Sequence, residues 1–516
     1  MKKIYINGEQ ISMELLAEIA NTGDSSGKVM LALDPGARVR MQESRDYIEK
    51  RIQSGDIMYG VNTGFGAFAN VRISDAEIEL LQRNLIQSHS VGIGTPFSIR
   101  ETRAMMVLRA NTLAKGHSGI RPILVDQILD FLNHDLIPVI PSQGSVGASG
   151  DLAPLSHLAL ALIGEGEVWN EQGAIVSAKD AIQEKKMQPL VLKAKEGLAL
   201  INGCQVMTAI GLLGLFDLSR LLQLADLAGA MSLEGLKGSR NAFDPLISAA
   251  RPHVGEIQTA ANLRVLLGET SEICQSHVDC DKVQDAYSLR CMPAVHGAAK
   301  DAFAHAKKVL EVEANSSTDN PLVFASEGKI LSCGNFHGMP VAFAMDFVAI
   351  AVSALANISE CRISKLVNPA MSGLPAFLTP QGGLNSGFMI AQVVAASLVS
   401  ENKVYAHPAS VDSIPTSADK EDHVSMGTIA ARKFLQILRN AENVIAIELL
   451  CAAQAIDLLG GLQSSPRVMA AHRQLRAQVS FAANDRYFGK DIRIVRKMFD
   501  DQNFIGIVSD LKVGVL

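Results

Sequence analysis

The sequence predicts a mainly α-helical protein: a bundle of long helices, preceded by a smaller, mostly helical part that carries active-site loops. Three observations lead there. Residues 205–236 form about 32 residues of almost unbroken apolar character, roughly 48 Å of helix at about 1.5 Å per residue. Long helical patterns recur at 293–314, 341–361, 384–404 and 424–459 with no substantial strand between them, which argues for a bundle of up-and-down and crossover helices. The connections are dense in polar residues and glycine, where a plain bundle needs only short, nondescript turns.

In chain order, Asn7-Gly8 between apolar residues signals a hairpin. Amphipathic helix is expected from Met13 to about Ser54, then a pliable loop at residues 58–70 whose glycines disfavour a helix and which Tyr59 opens. Helical periodicity returns at 73–92, 102–113 and 122–133. Asp151 is expected to cap a helix running to about Gly164, with Pro154 tolerated in its first turn. Residues 165–197 are more polar, hold the single tryptophan, Trp169, and read as short strands in a surface excursion. The texture changes after it, so the expected domains are residues 1–200 and 201–516.

At 516 residues, with 48% hydrophobic and 19% charged residues, the chain can bury a large core. A net charge of −6 makes nucleic acid or an anionic membrane a poor partner. Residues 341–358 are apolar enough to test as a membrane span. They contain Asp346, Ser353 and Asn357, which fits a helix buried in a soluble bundle better. Seven scattered cysteines and no signal-peptide pattern point to reduced thiols in a cytoplasmic protein. Cys274, His277 and Cys280 give three ligands where a structural zinc site needs four, so no metal is expected.

Chemistry concentrates at residues 144–155, G-S-V-G-A-S-G-D-L-A-P-L. Glycine allows close backbone approach, so the Gly150 nitrogen could reach the Ala148 carbonyl, and the Ser149 hydroxyl could leave as water once a ring had closed. The product would be a methylidene-imidazolone, an electrophile made from the chain itself. The same spacing also describes an ordinary turn before a helix. A phosphate cradle fits less well, lacking the G-K-[ST] ending and carrying Asp151. Further polar loops hold Asn202; Gln284, Tyr287 and Arg290; Phe336 and His337; and Glu421. Each has a local reading, such as Asn202 capping the long helix or Arg290 pairing with Asp285. Together with Tyr59 and His89 they supply an electrophile, proton-transfer groups and a carboxylate receptor, which fits an amino-acid enzyme.

The motif G-A-S-G-D-L-A-P-L-S-H at residues 147–157 closely resembles the aromatic amino-acid ammonia-lyase and aminomutase family. The runs at 382–393 and 407–427, with His89 and Glu421, resemble its histidine-type branch; phenylalanine- and tyrosine-specific members tend to have glutamine at the latter position. The resemblance covers roughly residues 59–462 and implies an aspartase/fumarase-like helical fold. It implies that Ala148-Ser149-Gly150 becomes the 4-methylidene-imidazol-5-one group with no external cofactor. It makes Tyr59 the base for the β-proton and Arg290 the receptor of the substrate carboxylate. Tyr287, Asn202 and Gln284 would hydrogen-bond the electrophile or its developing oxyanion, His89 and Glu421 would bind the imidazole, and Phe336 would wall the pocket. The implied reaction turns L-histidine into trans-urocanate and ammonia, in a homotetramer with shared active sites. Two departures leave room for tyrosine or phenylalanine chemistry on the same scaffold: Asp419-Lys420-Glu421 replaces a common Asn-Gln-Glu, and Ser90-Val91 follows His89. A non-catalytic helical assembly is the rival from another class.

Overall fold

The computed structural model describes residues 2–22, 29–68 and 70–514. They form two compact units, each assembled from three stretches of chain. One comprises Met1–Phe216, Lys307–Asp346 and Pro408–Arg432; the other comprises Asp217–Ala306, Phe347–His407 and Lys433–Leu516. The chain passes between them five times, four of them inside long helices, Gln205–Gly235, Met292–Ala314, Met339–Val367 and Gly427–Asp457, and once between His407 and Pro408. The expected helices are therefore present, with ends shifted by a few residues. The fifth begins late, at Met389. The backbone N–H groups of Ser386 and Gly387 are held by the Asp485 carboxylate at 2.8 Å each, which keeps the preceding residues out of the helix.

The N-terminus departs from expectation. Lys2–Ile6 pairs with Val29–Leu33 in parallel, not as a hairpin. Asn7-Gly8 does turn the chain: the Asn7 side chain accepts from Glu9 N at 2.9 Å, and Gly8 has φ +92° with its N–H on Asn111 Oδ1. Ser12 then caps the helix Met13–Ala20 before a second strand can return. A parallel partner needs such a crossover. The strand Val29–Leu33 also interrupts what reads as continuous helix; V-M-L-A-L is too short to show its period. In the polar excursion, Glu167–Trp169 pairs with Ile175–Ser177, as the short strand-like runs suggest.

In the first unit, Ile99–Ala114 is nearly all buried and opens on a capping box of Ser98 and Glu101. Ile78–His89 packs against Leu152–Leu162 and Glu196–Ile201, which brings the ends of all three towards the glycine-rich turn. The second unit buries charge. Arg362 and Glu448 pair bidentately at 2.5 and 2.9 Å, with the Ser232 and Ser359 hydroxyls donating to the same carboxylate at 2.6 Å each. Asp226 accepts from His296, Lys300 and Asn262, which explains a lone aspartate in an apolar helix. Gln205–Gly235 and Met339–Val367 are long and apolar enough to span a membrane, but 78% and 61% of their apolar windows are buried within the protein.

Candidate active site

The Ala-Ser-Gly stretch is a closed turn. Gly150 N donates to Gly147 O at 3.3 Å, so Ala148 and Ser149 occupy its corners. Ser149 sits at φ +52°, a left-handed conformation that costs a non-glycine residue about 1–2 kcal/mol. Gly203 clamps the turn from one side, donating to Ser149 O at 3.2 Å and accepting from Asp151 N at 2.8 Å. A Cβ on Gly150 would lie 2.2 Å from Gly203 O, and one on Gly147 would lie 2.2 Å from Ser425 Oγ. Only glycine fits at either position.

Asp151 is fully buried and stands at the N-cap position of the expected helix, its carbonyl accepting from Leu155 N at 3.0 Å, but its side chain serves a different one. Leu152–Leu162 receives no side-chain cap from it. Instead Asp151 Oδ2 accepts from Val206 N and Met207 N at 2.9 and 3.0 Å, in the first turn of Gln205–Gly235, where the helix dipole favours an anion. Its other oxygen accepts from Ser145 and Thr428. The carboxylate thus ties the turn to the long helix. Burial pushes its pKa up from 3.8 to about 6 against these hydrogen bonds. An acid raised on folding stabilises fully below pH 3.8, and that contribution is lost as the pH rises through about 6. Asp151→Asn keeps an acceptor for the two N–H groups, so urea unfolding should show a flatter stability profile between pH 4 and 6. Asp151→Ala strands both N–H groups and should cost about 2 kcal/mol or more.

Beside the turn lies a cavity of about 760 Å³, within the range of small-ligand sites. Tyr59, His89, Ser149, Asn202 and Glu421 all line it, with an apolar wall that includes Phe65, Leu85 and Leu198. Ser149 Oγ donates to Glu421 Oε1 at 3.3 Å, and Thr416 Oγ1 fixes Oε2 at 2.8 Å. The Tyr59 hydroxyl accepts from Gly66 N at 3.4 Å. His89 ends the helix Ile78–His89. Ser88 Oγ gives its hydrogen to the Leu85 carbonyl at 3.1 Å and lies 3.0 Å from His89 Nδ1. With its one hydrogen on that carbonyl the hydroxyl accepts from Nδ1, the arrangement in which the neutral ring keeps Nε2 as an acceptor. Burial lowers the His89 pKa, while a hydrogen bond to the Leu85 backbone and the Glu421 charge pull the other way.

A family model described as aromatic amino acid lyase matches residues 11–477. The chain belongs to the aromatic amino acid lyase family. Histidine ammonia-lyase from Anaeromyxobacter dehalogenans is 52% identical over 509 residues, covering 97% of this chain and 99% of its own. The same enzyme from Myxococcus xanthus is 50% identical and covers 98% of each. Among solved structures, histidine ammonia-lyase from Trypanosoma cruzi aligns with a TM-score of 0.90 and 41% identity over 98% of this chain and 95% of its own. Tyrosine aminomutase from Streptomyces globisporus aligns with a TM-score of 0.91 and 38% identity over 99% and 100%. As an aromatic amino acid lyase the chain is a carbon–nitrogen lyase, and its long-helix fold is of the aspartase/fumarase-like type.

In this aromatic amino acid lyase, six expected site residues are not in the cavity lining: Ala148 and Gly150 of the turn itself, and four others. Phe336 is half-buried, its carbonyl taking the Cys204 thiol at 3.0 Å. Gln284, Tyr287 and Arg290 belong to the second unit. Tyr287 is 71% exposed with the Arg290 guanidinium 4.6 Å from its ring centroid. Arg290 Nε donates to the Asp285 backbone carbonyl, and the Asp285 carboxylate takes Lys282 and Ser239 N instead, so the local ion pair is not made. Sequence reasoning missed Ser88, Thr416 and the pair Asp319 and Asn320, which hold His89, Glu421 and Asn202 in turn. The polar run S-S-T-D-N-P at residues 316–321, between two apolar stretches, was the available signal for the last.

Proposed function

We propose that this lyase deaminates L-histidine non-oxidatively to trans-urocanate and ammonia. The reading rests above all on the Glu421 carboxylate standing 3.3 Å from Ser149 Oγ in the cavity that His89 borders. Glu421 and His89 both present acceptors, which suits the two N–H groups of a protonated imidazole ring. The names of the half-identical relatives point the same way.

The turn fits a methylidene-imidazolone made from Ala148-Ser149-Gly150: it is already closed, Ser149 is held left-handed, and nothing larger than hydrogen fits on Gly150. Once formed, that group supplies an electrophilic carbon that makes the amine a better leaving group; no external cofactor is needed. Tyr59 removes the β-proton, and the Gly66 N–H on its oxygen eases the negative charge it carries as a base. His89 and Glu421 hold the ring. Arg290 takes the substrate carboxylate as a bidentate pair. Tyr287, Gln284 and Asn202 surround the electrophile, and Phe336 closes a wall.

Gln284, Tyr287 and Arg290 reach the site from partner subunits of a homotetramer. The second unit exposes Phe347, Ile350, Ile390, Val393 and Val394 on its helices, surface of the kind that subunit contacts cover. The seven cysteines are all free thiols, consistent with a cytoplasmic enzyme.

The test is product identification after offering histidine, tyrosine and phenylalanine separately. Urocanate from histidine is expected; a preference for tyrosine overturns the substrate. Glu421→Gln removes a charge-assisted bond of about 1.5–3 kcal/mol, so KM for histidine should rise roughly ten- to a hundredfold. Equal loss on every amino acid would mean Glu421 is no selector.

A further inference from the structure

Tyr287–Arg290 is a helix of four residues, a single turn. Pro293 has no N–H for the Leu289 carbonyl, and the turn stops at Cys291 before Met292–Ala314 begins. One turn of helix is not stable alone, so contacts from outside set where this one sits. Ser288 and Leu289 are buried, Tyr287 is exposed and Arg290 is half-buried. Ahead of the turn, the Asp285 carboxylate accepts from Ser239 N at 2.6 Å. Beneath it, the Ser288 carbonyl accepts from Arg362 Nη1 at 3.3 Å.

Arg362 is fully buried on Met339–Val367, and the other three long helices each place a group around it in the second unit. Glu448, on Gly427–Asp457, takes Nε and Nη2, and Ser232, on Gln205–Gly235, donates to the same carboxylate. His296, on Met292–Ala314, lies with Nε2 3.3 Å from Arg362 Nη1. The Asp226 carboxylate, held by Lys300 Nζ at 2.6 Å, accepts from His296 Nδ1 at 2.9 Å, so Nε2 is the acceptor for a hydrogen of Nη1. The guanidinium is thus fixed from two sides. A pair buried this deeply is a poor source of stability, because well-packed apolar side chains of similar volume often serve as well or better. Apolar side chains cannot reach past the pair to hold a backbone carbonyl. Arg362 does.

Building on the reading of Arg290 as the receptor of the substrate carboxylate, we infer that Arg362 is a positioning residue for that receptor. Through the Ser288 carbonyl it fixes where the Tyr287–Arg290 turn presents the Arg290 guanidinium. The buried charges of the bundle then serve carboxylate binding as well as the fold.

The test uses the full-length Ser149→Ala chain, which cannot form the electrophile, and measures ligand binding by calorimetry. Imidazolepropionate carries the imidazole and the carboxylate without an amine; histidinol carries the imidazole and the amine without a carboxylate. Arg362→Lys keeps a cation for Glu448, but an ammonium cannot span that carboxylate and the Ser288 carbonyl together. It should weaken imidazolepropionate roughly three- to tenfold and leave histidinol within about twofold, since a charge-assisted pair is loosened. If Arg362 acts through Arg290, adding Arg362→Lys to Arg290→Ala should cost less than about twofold more. Equal weakening of both ligands, no weakening of imidazolepropionate, or the full loss again on top of Arg290→Ala overturns the assignment. Should Arg362→Lys not fold, Arg362→Met with Glu448→Leu strands neither charge and is judged by the same comparisons. If neither chain folds, the network serves the fold and the assignment is overturned. Arg290→Ala alone should single out imidazolepropionate. If it does not, the carboxylate reading fails and takes this inference with it; if it does while Arg362→Lys does not, only the role of Arg362 is lost.

Discussion

Ser149→Ala should fold and yet turn over no histidine. The wild-type chain should weigh two waters less than its translated sequence: one water leaves when the Gly150 nitrogen closes on the Ala148 carbonyl, the other carries off the Ser149 hydroxyl with the α-hydrogen. Alanine has no hydroxyl to lose, so the second step has no leaving group. The substitution keeps the Cβ and the left-handed backbone and removes only one 3.3 Å hydrogen bond to Glu421. Stability should therefore change by no more than about 1 kcal/mol. Intact mass, thermal melting and urocanate formation on the same sample separate the chemistry from the fold. Normal turnover by the alanine chain, or a wild-type mass equal to the sum of its residues, removes the electrophile from the mechanism.

The fold was legible wherever an element stands on its own composition. Gln205–Gly235 differs by one residue from the expected stretch, because a 31-residue run dominated by apolar side chains allows few alternatives. It failed where a distant partner decides. Asn7-Gly8 is a good local turn, but the strand that pairs with Lys2–Ile6 arrives in parallel after a helix, and no dipeptide encodes that. Asp151 does stand at the N-cap of the helix expected after it, but its carboxylate goes to another helix. The burial that brings Val206 and Met207 to its carboxylate is a tertiary fact. The candidate site shows the same division. Gly147, Ser149 and Gly150 announce a tight turn by their spacing, and the close approach of Gly203 and Ser425 explains why glycine is required. The partners that orient the expected residues were not legible, since Ser88, Thr416 and Asp319 resemble any polar residue near a helix end or in a loop. Gln284, Tyr287 and Arg290 are not in the cavity lining, and under the proposed homotetramer a second chain supplies them, which no property of one sequence reports.

Tyr59→Phe should mature normally and then stall. The two side chains differ by one hydroxyl, and among the described residues that oxygen's one hydrogen bond is acceptance of the Gly66 N–H at 3.4 Å. The ring of Tyr59, half-buried beside Gly60 and Phe65, can keep its place. Nothing in the closure of the turn calls on this residue, so the loss of two waters should be unchanged. In the proposed mechanism, removal of the β-proton does call on it. A positioned general base is worth roughly 10² to 10⁴ in rate, and that is the expected fall in kcat, with KM for histidine changed far less. This pattern distinguishes a base from a residue that merely shapes the cavity. A shaping role would raise KM, and a role in folding the loop would lower the fraction of chains that lose water. A Phe variant that retains a tenth or more of wild-type kcat takes Tyr59 out of proton transfer. The base would then be sought among the groups that a partner would bring in the proposed homotetramer, with Tyr287 as the first to replace.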